Sequence, residues 1–176
     1  MATKTMAANA ILTRIDDAME YAAEQAGIKL EYVGGLPVWE AMPVYRHQRK
    51  VVAICASVRA GRDDGEGCAC LAVPDLSILF SDGSQKRPDI SIFCREPDEQ
   101  DTACTLVPEA VIEIISRGYE KKDTEVSLPF YLAQDIADIV IFNPDTNQVS
   151  HYHDGQTDEH DSPVELSFAC GCRVSV

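Results

Sequence analysis

Apolar residues recur at helical spacing in two parts of the first third of the chain. Within residues 1–27 they return every four positions, which predicts an amphipathic helix packed on the core. Gly27 supplies its C-terminal stop. A second helical pattern runs from Val44 to Arg59. The positions that define the first pattern are Ile11, Ile15, Met19 and Ala23.

The helix predicted from Val44 to Arg59 has an apolar side and a basic side, and it carries four of the chain's 15 positive charges. Basic side chains on one helix face are suited to contacts with phosphate groups. The apolar side comprises Val44, Val51, Val52, Cys55 and Val58, and the basic side comprises Arg46, Arg49, Lys50 and Arg59.

Short runs rich in Ile and Val predict strands in the rest of the chain. A hairpin is predicted within Leu30–Ala41 because Gly34 and Gly35 accept the positive φ of a tight turn, and Pro37 makes its second strand an edge strand. The mixture of helices and strands indicates an α/β layer fold with one central sheet. The later runs are Cys70–Phe80 (interrupted by Pro74), Pro88–Phe93, Ala110–Ile115, Ile139–Phe142 and Val149–His153.

Length and charge narrow the class of protein. A chain of 176 residues predicts a single domain, and a formal charge of −14 disfavours indiscriminate binding to nucleic acid or anionic membranes. Neither a secretory leader nor a run of about 18 apolar residues is evident, so we expect a cytoplasmic protein without membrane contact. Many of the acidic residues lie in three segments that we interpret as loops. The rest of the surface can therefore include a less acidic functional face. The three segments are Arg62–Glu66, Glu96–Asp101 and Asp154–Asp161.

The seven cysteines are an odd number for a disulfide framework, and we expect reduced thiols, with Cys55 and Cys94 the best candidates for burial. Two C-x-C pairs begin at Cys68 and Cys170. Their spacing is shorter than that of typical structural zinc sites, so buried or half-exposed thiols are favoured over zinc. A solvated turn is expected for the histidines of the acidic C-terminal hairpin, which are His151, His153 and His160.

Two carboxylates within or beside apolar strand candidates are the clearest chemical signal. Asp89 precedes Ile90-Ser91-Ile92-Phe93, and Glu113 lies inside Val111-Ile112-Glu113-Ile114-Ile115. A carboxylate buried among Ile and Val needs a cation or a hydrogen-bonded partner. Two on neighbouring strands indicate a hard divalent cation such as Mg²⁺, helped by a main-chain carbonyl beside Glu113. The alternative is that each acid only caps its strand or pairs with Arg87 or a lysine.

Several short motifs, in their order and spacing, resemble the Uma2-type proteins, a bacterial and notably cyanobacterial family of restriction-endonuclease-like proteins within the PD-(D/E)xK nuclease superfamily. The resemblance runs from about residue 28 to the end, where Cys170-Gly171-Cys172-Arg173 replaces a Pro-Gly-aromatic-Arg stretch. The motifs are Leu30-Glu31-Tyr32-Val33-Gly34-Gly35, His47-Gln48, Arg87-Pro88-Asp89, Val107-Pro108-Glu109-Ala110-Val111-Ile112-Glu113-Ile114-Ile115-Ser116, Tyr131-Leu132-Ala133 and Ile139-Val140-Ile141-Phe142-Asn143-Pro144.

The resemblance implies a restriction-endonuclease-like core over residues 28–176, with a mixed central sheet flanked by helices. It implies hydrolysis of phosphodiester bonds with Mg²⁺ or Mn²⁺, so we expect nucleic acid, DNA in particular, as the partner and a homodimer as the assembly. Asp89 and Glu113 match the family's metal-binding acids, and Glu31 and His47 match residues that line the same cleft. Alternatively, His47 is a surface histidine of the basic helix. Arg46, Arg49 and Lys50 are the candidate phosphate-binding residues.

The sequence departs from the superfamily pattern at the catalytic lysine. Ile115 occupies the position two residues after Glu113, and Ser127 occupies the position, four residues before Tyr131, where the family's usual substitute lysine stands. If a helix starts near Ser127, with that residue as N-cap, Lys121 and Lys122 lie in a flexible segment and can reach the metal site. The alternatives are that both lysines are solvated surface charges and that the protein is a catalytically silent binding or dimer-forming member.

Overall fold

The computed structural model of the chain describes residues 18–61, 68–98 and 103–176. The helices are α1 (residues 18–25), α2 (Tyr45–Ser57) and α3 (Leu128–Ala133), and a π-helical turn, Lys122–Ser127, leads directly into α3. The strands are β1 (Ile28–Val33), β2 (Leu36–Ala41), β3 (Arg59–Ala60), β4 (Leu71–Pro74), β5 (Ile78–Leu79), β6 (Gln85–Lys86), β7 (Ile90–Phe93), β8 (Ala110–Ile114), β9 (Asp138–Asn143), β10 (Gln148–His153), β11 (Gln156–Asp161), β12 (Glu165–Ser167) and β13 (Cys172–Ser175).

A six-stranded sheet in the order β11-β10-β9-β8-β7-β4 forms the centre of the molecule. Strands β8 and β9 run parallel and the other neighbours are antiparallel, so the sheet is mixed. Val51 and Ile54 of α2 pack on one face, and Phe130 and Tyr131 of α3 pack on the other. The predicted α/β fold, with a mixed central sheet between helices, is confirmed.

Strand β8 is buried on both faces because a helix covers each side of the sheet. Ile112 and Ile114 face the α2 side, whereas Val111 faces the α3 side. Side chains alternate along a strand, which puts Glu113 on the α3 side as well. Glu113 is therefore a fully buried carboxylate within an apolar layer.

The prediction of one sheet was incomplete, because two smaller sheets accompany the central one. One has the order β2-β1-β6-β5, and the other has the order β12-β13-β3. The predicted hairpin is confirmed: Gly34 and Gly35 have φ values of +58° and +79°, and β2 is an edge strand. The first small sheet carries Glu31 and Lys86 towards Glu113, so it completes the candidate site described below.

Several local expectations need correction or lie outside the described residues. Val44 and Val52 were predicted to be on the packed side of α2, but they are 68% and 67% exposed, because His47, Val51 and Ile54 form its buried stripe. Asp154–Asp161 was predicted to be a loop, but most of it is strand β11, an edge strand exposed on both faces and therefore without apolar alternation. The first seventeen residues, Arg62–Glu66 and part of Glu96–Asp101 lie outside the described residues.

The segment before α3 differs from the prediction. Helical backbone begins at residue 120, and Lys121 and Lys122 lie inside it rather than in a flexible segment. Ser127 has helical backbone angles and makes no capping hydrogen bond, because the residues before it are already helical. Pro129 follows the π-helical turn as the second residue of α3, so it lies within a continuous helical segment and not at its start. In the described ranges no helix is long and apolar enough to cross a membrane.

Four cysteines are bonded in pairs, contrary to the expectation of reduced thiols. The disulfides are Cys68–Cys94 and Cys70–Cys172, so Cys94 is not a simple buried thiol. The sequence does not reveal this pairing, since it depends on the ends of β7 and β13 meeting the segment before β4. Free thiols remain at Cys55, Cys104 and Cys170.

The predicted solvated turn for the C-terminal histidines is wrong for His151. This residue is buried on β10, and its Nε2 lies 2.8 Å from Oδ1 of Asp138. The other oxygen of Asp138 accepts a hydrogen bond of 2.8 Å from the amide of Ala169. His151 therefore helps to fix the C-terminal segment, whereas His153 pairs with Asp158 at the surface.

Candidate functional site

Asp89 and Glu113 lie side by side on neighbouring strands. Asp89 immediately precedes β7, and Ile90 pairs with Ile112 of β8. The Asp89 amide donates to Oε2 of Glu113 at 3.2 Å, and the amide of Ile114 donates to Oδ2 of Asp89 at 2.8 Å. The strand register thus fixes two carboxylates against each other, where the sequence predicted them.

Asp89 is held by two further groups. Its Oδ1 lies 3.3 Å from Nζ of Lys29, and its Oδ2 lies 3.0 Å from Nε2 of His47. The same His47 nitrogen lies 2.9 Å from the carbonyl oxygen of Ile114. Since both partners accept, this nitrogen carries the proton. His47 is buried, so the alternative of a surface histidine is wrong.

Glu31 lies on β1 and contacts Lys86, a residue that was not among the candidates from the sequence. Nζ of Lys86 lies 2.5 Å from Oε2 of Glu31 and donates to Oγ of Ser127 at 2.9 Å. The other oxygen of Glu31 accepts from the Arg87 amide at 2.7 Å. The Nζ atom of Lys86 therefore lies beside Ser127, at the position where the resemblance implies a lysine.

The two candidate lysines before α3 have different surroundings. Lys122 is buried, with its Nζ 2.9 Å from Asp123, 3.3 Å from Glu40 and 3.9 Å from Glu31. It is not the solvated surface charge of the alternative interpretation. The Lys121 side chain is 86% exposed and lies 3.9 Å from Glu125, so it points away from the buried acids.

These contacts form one buried group, which we call the acid–lysine cluster. Its carboxyl groups outnumber its lysines by five to three, so ionisation of all five acids would leave an excess of negative charge. The hydroxyl of Tyr131 donates to Oε1 of Glu113 at 2.6 Å. Among the described residues, no lysine, arginine or histidine side-chain nitrogen lies within 4 Å of the Glu113 carboxyl oxygens. The members are Glu31, Glu40, Asp89, Glu113, Asp123, Lys29, Lys86 and Lys122.

The pKa shifts of the acids reflect this excess. Burial raises the pKa of Glu113, helped by the charge of Asp89 and opposed by Lys122. Burial raises the pKa of Asp123 to about 8, and the charge of Glu113 adds to the effect. Although burial opposes it, Lys29 and His47 hold the pKa of Asp89 well below its usual range. The cluster therefore stabilises the ionised form of Asp89 and disfavours ionisation of Glu113 and Asp123. A further cation would lower the pKa of these two acids and so favour their ionised forms.

The pKa shifts of the bases complement those of the acids. Burial alone would lower the pKa of Lys122, but Glu113 and Glu31 raise it above its ordinary value. Lys29 behaves in the same way, with Asp89 as the main charge that raises its pKa. The hydrogen bond to Asp89 raises the pKa of His47 against the effect of burial. Lys29 and Lys122 are therefore cations at neutral pH.

A cavity of about 220 Å³ lies next to the cluster, and His47 lines it. Arg46 and Arg117 lie on its rim, and both contact Asp145. We call this cavity the arginine pocket. Its other lining residues are Ala41, Met42, Pro43, Val44, Ile115, Ser116, Tyr119 and Pro144.

The predicted phosphate-binding residues are not all at this pocket. Arg46 lines it, Arg49 is exposed on α2, and Nζ of Lys50 lies 5.3 Å from the ring centre of Phe142. Arg117 lines the pocket and was not nominated from the sequence. It directly follows the Glu113–Ser116 motif, so its place at the end of β8 was a signal that sequence reasoning overlooked.

The residues present fit a hard divalent cation. Asp89, Glu113 and the Ile114 carbonyl offer oxygen atoms, which Mg²⁺ and Mn²⁺ prefer. Excess carboxylate and the raised pKa of Glu113 supply the reason for a cation to bind there. Lys29 and His47 already contact Asp89, so a metal at this acid would compete with them or displace them.

Comparisons with known proteins agree with this architecture. A family model described as "Uma2: Putative restriction endonuclease" matches residues 15–169. A solved structure titled as a putative nuclease belonging to DUF820 from Anabaena variabilis superimposes with a TM-score of 0.58. Its sequence identity is 21%, and the match covers 78% of this chain and 79% of that one. No curated protein matches the chain.

Proposed function

The chain belongs to the family described as Uma2, "Putative restriction endonuclease", and from that premise we propose that it hydrolyses phosphodiester bonds in DNA with Mg²⁺ or Mn²⁺. One observation supports the proposal above the others. Asp89 and Glu113 are neighbouring buried carboxylates in a cluster with more acid than ammonium, which is the environment that favours a divalent cation.

The metal would be held by Asp89 and Glu113, and when bound it would acidify a water and withdraw charge from the phosphate. Tyr131 and the Asp89 amide orient Glu113 by one hydrogen bond to each oxygen. His47 and the Ile114 amide both donate to Oδ2 of Asp89, and Lys29 contacts its Oδ1. Tyr131 and the two backbone amides hold the acids in place before substrate arrives, whereas Lys29 and His47 would give way to the metal at Asp89.

Basic side chains that could contact DNA phosphates lie in two places, the acid–lysine cluster and the arginine pocket. Lys86 and Lys122 are the proposed catalytic cations within the cluster, since both are buried and both contact its carboxylates. Arg46 and Arg117, at the arginine pocket, would hold the neighbouring phosphates of the strand. Arg49 is an outer contact on the same helix. The chain's net charge of −14 then restricts binding to this local basic surface rather than to the whole molecule.

The test is hydrolysis of labelled single- and double-stranded DNA, with RNA for comparison, in Mg²⁺ and in Mn²⁺. Glu113→Gln should reduce the rate on the order of 100-fold or more, because it removes a metal-binding charge while keeping the shape. Glu159→Gln, on the exposed strand β11, is the matched control and should have no effect. Asp89→Ala controls for contaminating nucleases, and cleavage that persists in it would contradict the proposed site.

A silent relative is the second candidate, and Ser127 is the observation that favours it. In such a protein the cluster is a structural network, with Lys29 and His47 retained on Asp89. Mg²⁺ binding measured by calorimetry, without cleavage of any nucleic acid in the panel, would identify this case.

We also propose a cytoplasmic homodimer. Large apolar side chains are exposed on β2 and at the start of α2. The exposed fractions of Leu36, Trp39 and Tyr45 are 70%, 59% and 80%. Such side chains on an edge strand and the adjoining helix are typical of an interface between protein surfaces. Light scattering behind size-exclusion chromatography measures the assembly directly, and Trp39→Lys should shift a dimer towards the monomer.

A further inference from the structure

Five cysteines from three chain segments gather at the side of the molecule where β4, β7 and β13 meet. The Sγ atoms of Cys68, Cys94 and Cys170 all lie within 4.8 Å of one another. The same is true of Cys68, Cys70 and Cys172. Cys68 belongs to both groups, so one compact cluster contains five sulfur atoms.

The backbone brings these segments together closely. The amide of Ala69 donates to the Cys94 carbonyl at 2.9 Å, and the amide of Gly61 donates to the Gly171 carbonyl at 2.7 Å. A side chain at Gly61 would meet that carbonyl oxygen at 2.5 Å, so only glycine allows this approach. Cys70 adopts a φ of +51°, which is unusual for a residue other than glycine. These contacts hold the three cysteine-bearing segments in fixed positions next to one another.

A disulfide framework accounts for four of the five sulfurs but not for the fifth. Cys170 is a free thiol placed beside the bonded Cys68 and Cys94, where it is within range to attack their disulfide. Disulfides are also rare in the cytoplasm, where we place the protein. In addition, the amide of Cys70 lies 3.4 Å from Sγ of Cys68, the type of contact that stabilises a thiolate. Cys170 thus offers a fifth sulfur, and the Cys70 amide offers a hydrogen-bond donor, to a reduced and metal-bound form of the cluster.

We propose that the reduced cluster binds one Zn²⁺ through Cys68, Cys94, Cys170 and one further thiolate from Cys70 or Cys172. Zn–S bonds of about 2.3 Å in a tetrahedral site place the sulfurs roughly 3.8 Å apart. Sγ of Cys172 lies 3.4 Å from Sγ of Cys68, and the first group lies within 4.8 Å, so small side-chain adjustments suffice. Soft thiolate ligands select zinc over Mg²⁺, which keeps this site distinct from the acid–lysine cluster.

The redox chemistry balances with a dithiol reductant. It supplies two electrons and two protons to each disulfide and becomes a disulfide itself. The four cysteines that bind Zn²⁺ then release their thiol protons to the solvent. The bound ion would connect the β4 and β7 ends to β13 in the reduced protein, as the disulfides do in the oxidised one.

The test is zinc binding by the full chain, purified in the presence of a dithiol and stripped with a chelator. Zinc is titrated against a chromophoric competitor, and Co²⁺ is used in parallel because thiolate-to-cobalt absorption reports the ligand type. We expect one equivalent of zinc per chain. Cys68→Ser should weaken binding by 100-fold or more, since that residue belongs to both groups.

Two further variants keep the test decisive if Cys68→Ser does not fold. Cys170→Ser breaks neither disulfide, so weaker zinc binding in this variant supports the proposal and unchanged binding overturns it. Cys104→Ser is the matched control, a free cysteine whose thiol contacts the Leu106 carbonyl instead of the cluster, and it should bind zinc fully. Absence of stoichiometric zinc in the reduced wild-type protein also overturns the proposal. None of these measurements depends on nuclease activity.

Discussion

The Nζ atom of Lys86 lies 2.9 Å from the Oγ atom of Ser127, and both side chains are fully buried. Lys86 comes from β6 in the smaller sheet, whereas Ser127 is the last residue before α3. The position at which the family resemblance implies a lysine thus has a lysine side chain next to it, which comes from another element of the fold. Although Ser127 replaces the expected lysine, Lys86 places its amino group next to the same position.

The first prediction concerns Lys86 as the catalytic cation. Lys86→Met should lower the rate of DNA cleavage on the order of 100-fold, because the developing charge on phosphorus loses a fixed positive partner. Lys121→Met should leave the rate unchanged, as that side chain is 86% exposed and outside the cluster. Circular dichroism checks that both variants fold. Equal loss of activity in the two variants would contradict the assignment.

The second prediction places a lysine at Ser127, the position at which the family resemblance implies one. Ser127→Lys alone adds a second ammonium beside Lys86 in a buried site, so it should lower stability. The double variant Ser127→Lys with Lys86→Ser keeps the charge and exchanges the two groups, and it should recover much of the activity lost in Lys86→Ser. Rates of the three variants under identical conditions decide the point. If the double variant is no better than Lys86→Ser, the two positions are not equivalent.

The central acids were predictable because they depend on local patterns. Asp89 and Glu113 stand beside or within Ile- and Val-rich runs, and neighbouring runs of that kind pair in a sheet. The lysines were not predictable in the same way. Lys86 lies in a two-residue strand whose pairing with β1 is set by a single register contact between Tyr32 and Gln85, which no apolar periodicity encodes.

Lys29 had a signal that was overlooked. It stands two residues before Glu31 on β1, so both side chains share one face of the strand, and both are buried. A buried lysine and a buried glutamate on the same face point to an ionic site. The cysteine cluster, by contrast, depends on contacts between segments 102 and 104 residues apart. The two C-x-C pairs raised zinc as an alternative, but their spacing argued against it and did not include Cys94.

The third prediction concerns the pH dependence of stability. The pKa of Asp123 is raised by burial to about 8, so the folded state keeps a proton that the unfolded state releases at much lower pH. Its contribution therefore favours folding at low pH and is lost as the pH rises towards about 8. Asp123→Asn cannot ionise, so it should become progressively more stable than wild type between pH 5 and pH 8.5.

We expect the gain at the higher pH to reach at least about 1 kcal/mol, which corresponds to roughly 2–4 °C in Tm. Denaturant unfolding at both pH values measures it. Asp158→Asn is the control, since Asp158 is exposed and its hydrogen bond to His153 lowers its pKa. A difference between Asp123→Asn and wild type that does not change with pH would show that Asp123 is already ionised in the folded protein.

The fourth prediction tests whether DNA contacts the arginine pocket. A protein with a net charge of −14 binds DNA only through a local basic surface, so a few residues should account for most of the salt dependence. Each phosphate contact that is lost should reduce the slope of log K against log salt by about one. Arg46→Gln and Arg117→Gln should each have this effect. Because neither residue belongs to the acid–lysine cluster, both should weaken binding more than they lower the rate at saturating DNA.

Arg59→Gln provides the comparison that makes this result specific. Arg59 is also half-exposed and also pairs with a carboxylate, Glu165, but it lies on β3 in the small C-terminal sheet. Binding of a labelled duplex, followed by fluorescence anisotropy in Ca²⁺ at several salt concentrations, separates the variants without cleavage. If Arg59→Gln changes the slope as much as Arg46→Gln, binding is diffuse and the pocket is not the DNA site. If only the pocket variants change it, the DNA strand lies beside His47, which bonds Asp89 directly at 3.0 Å.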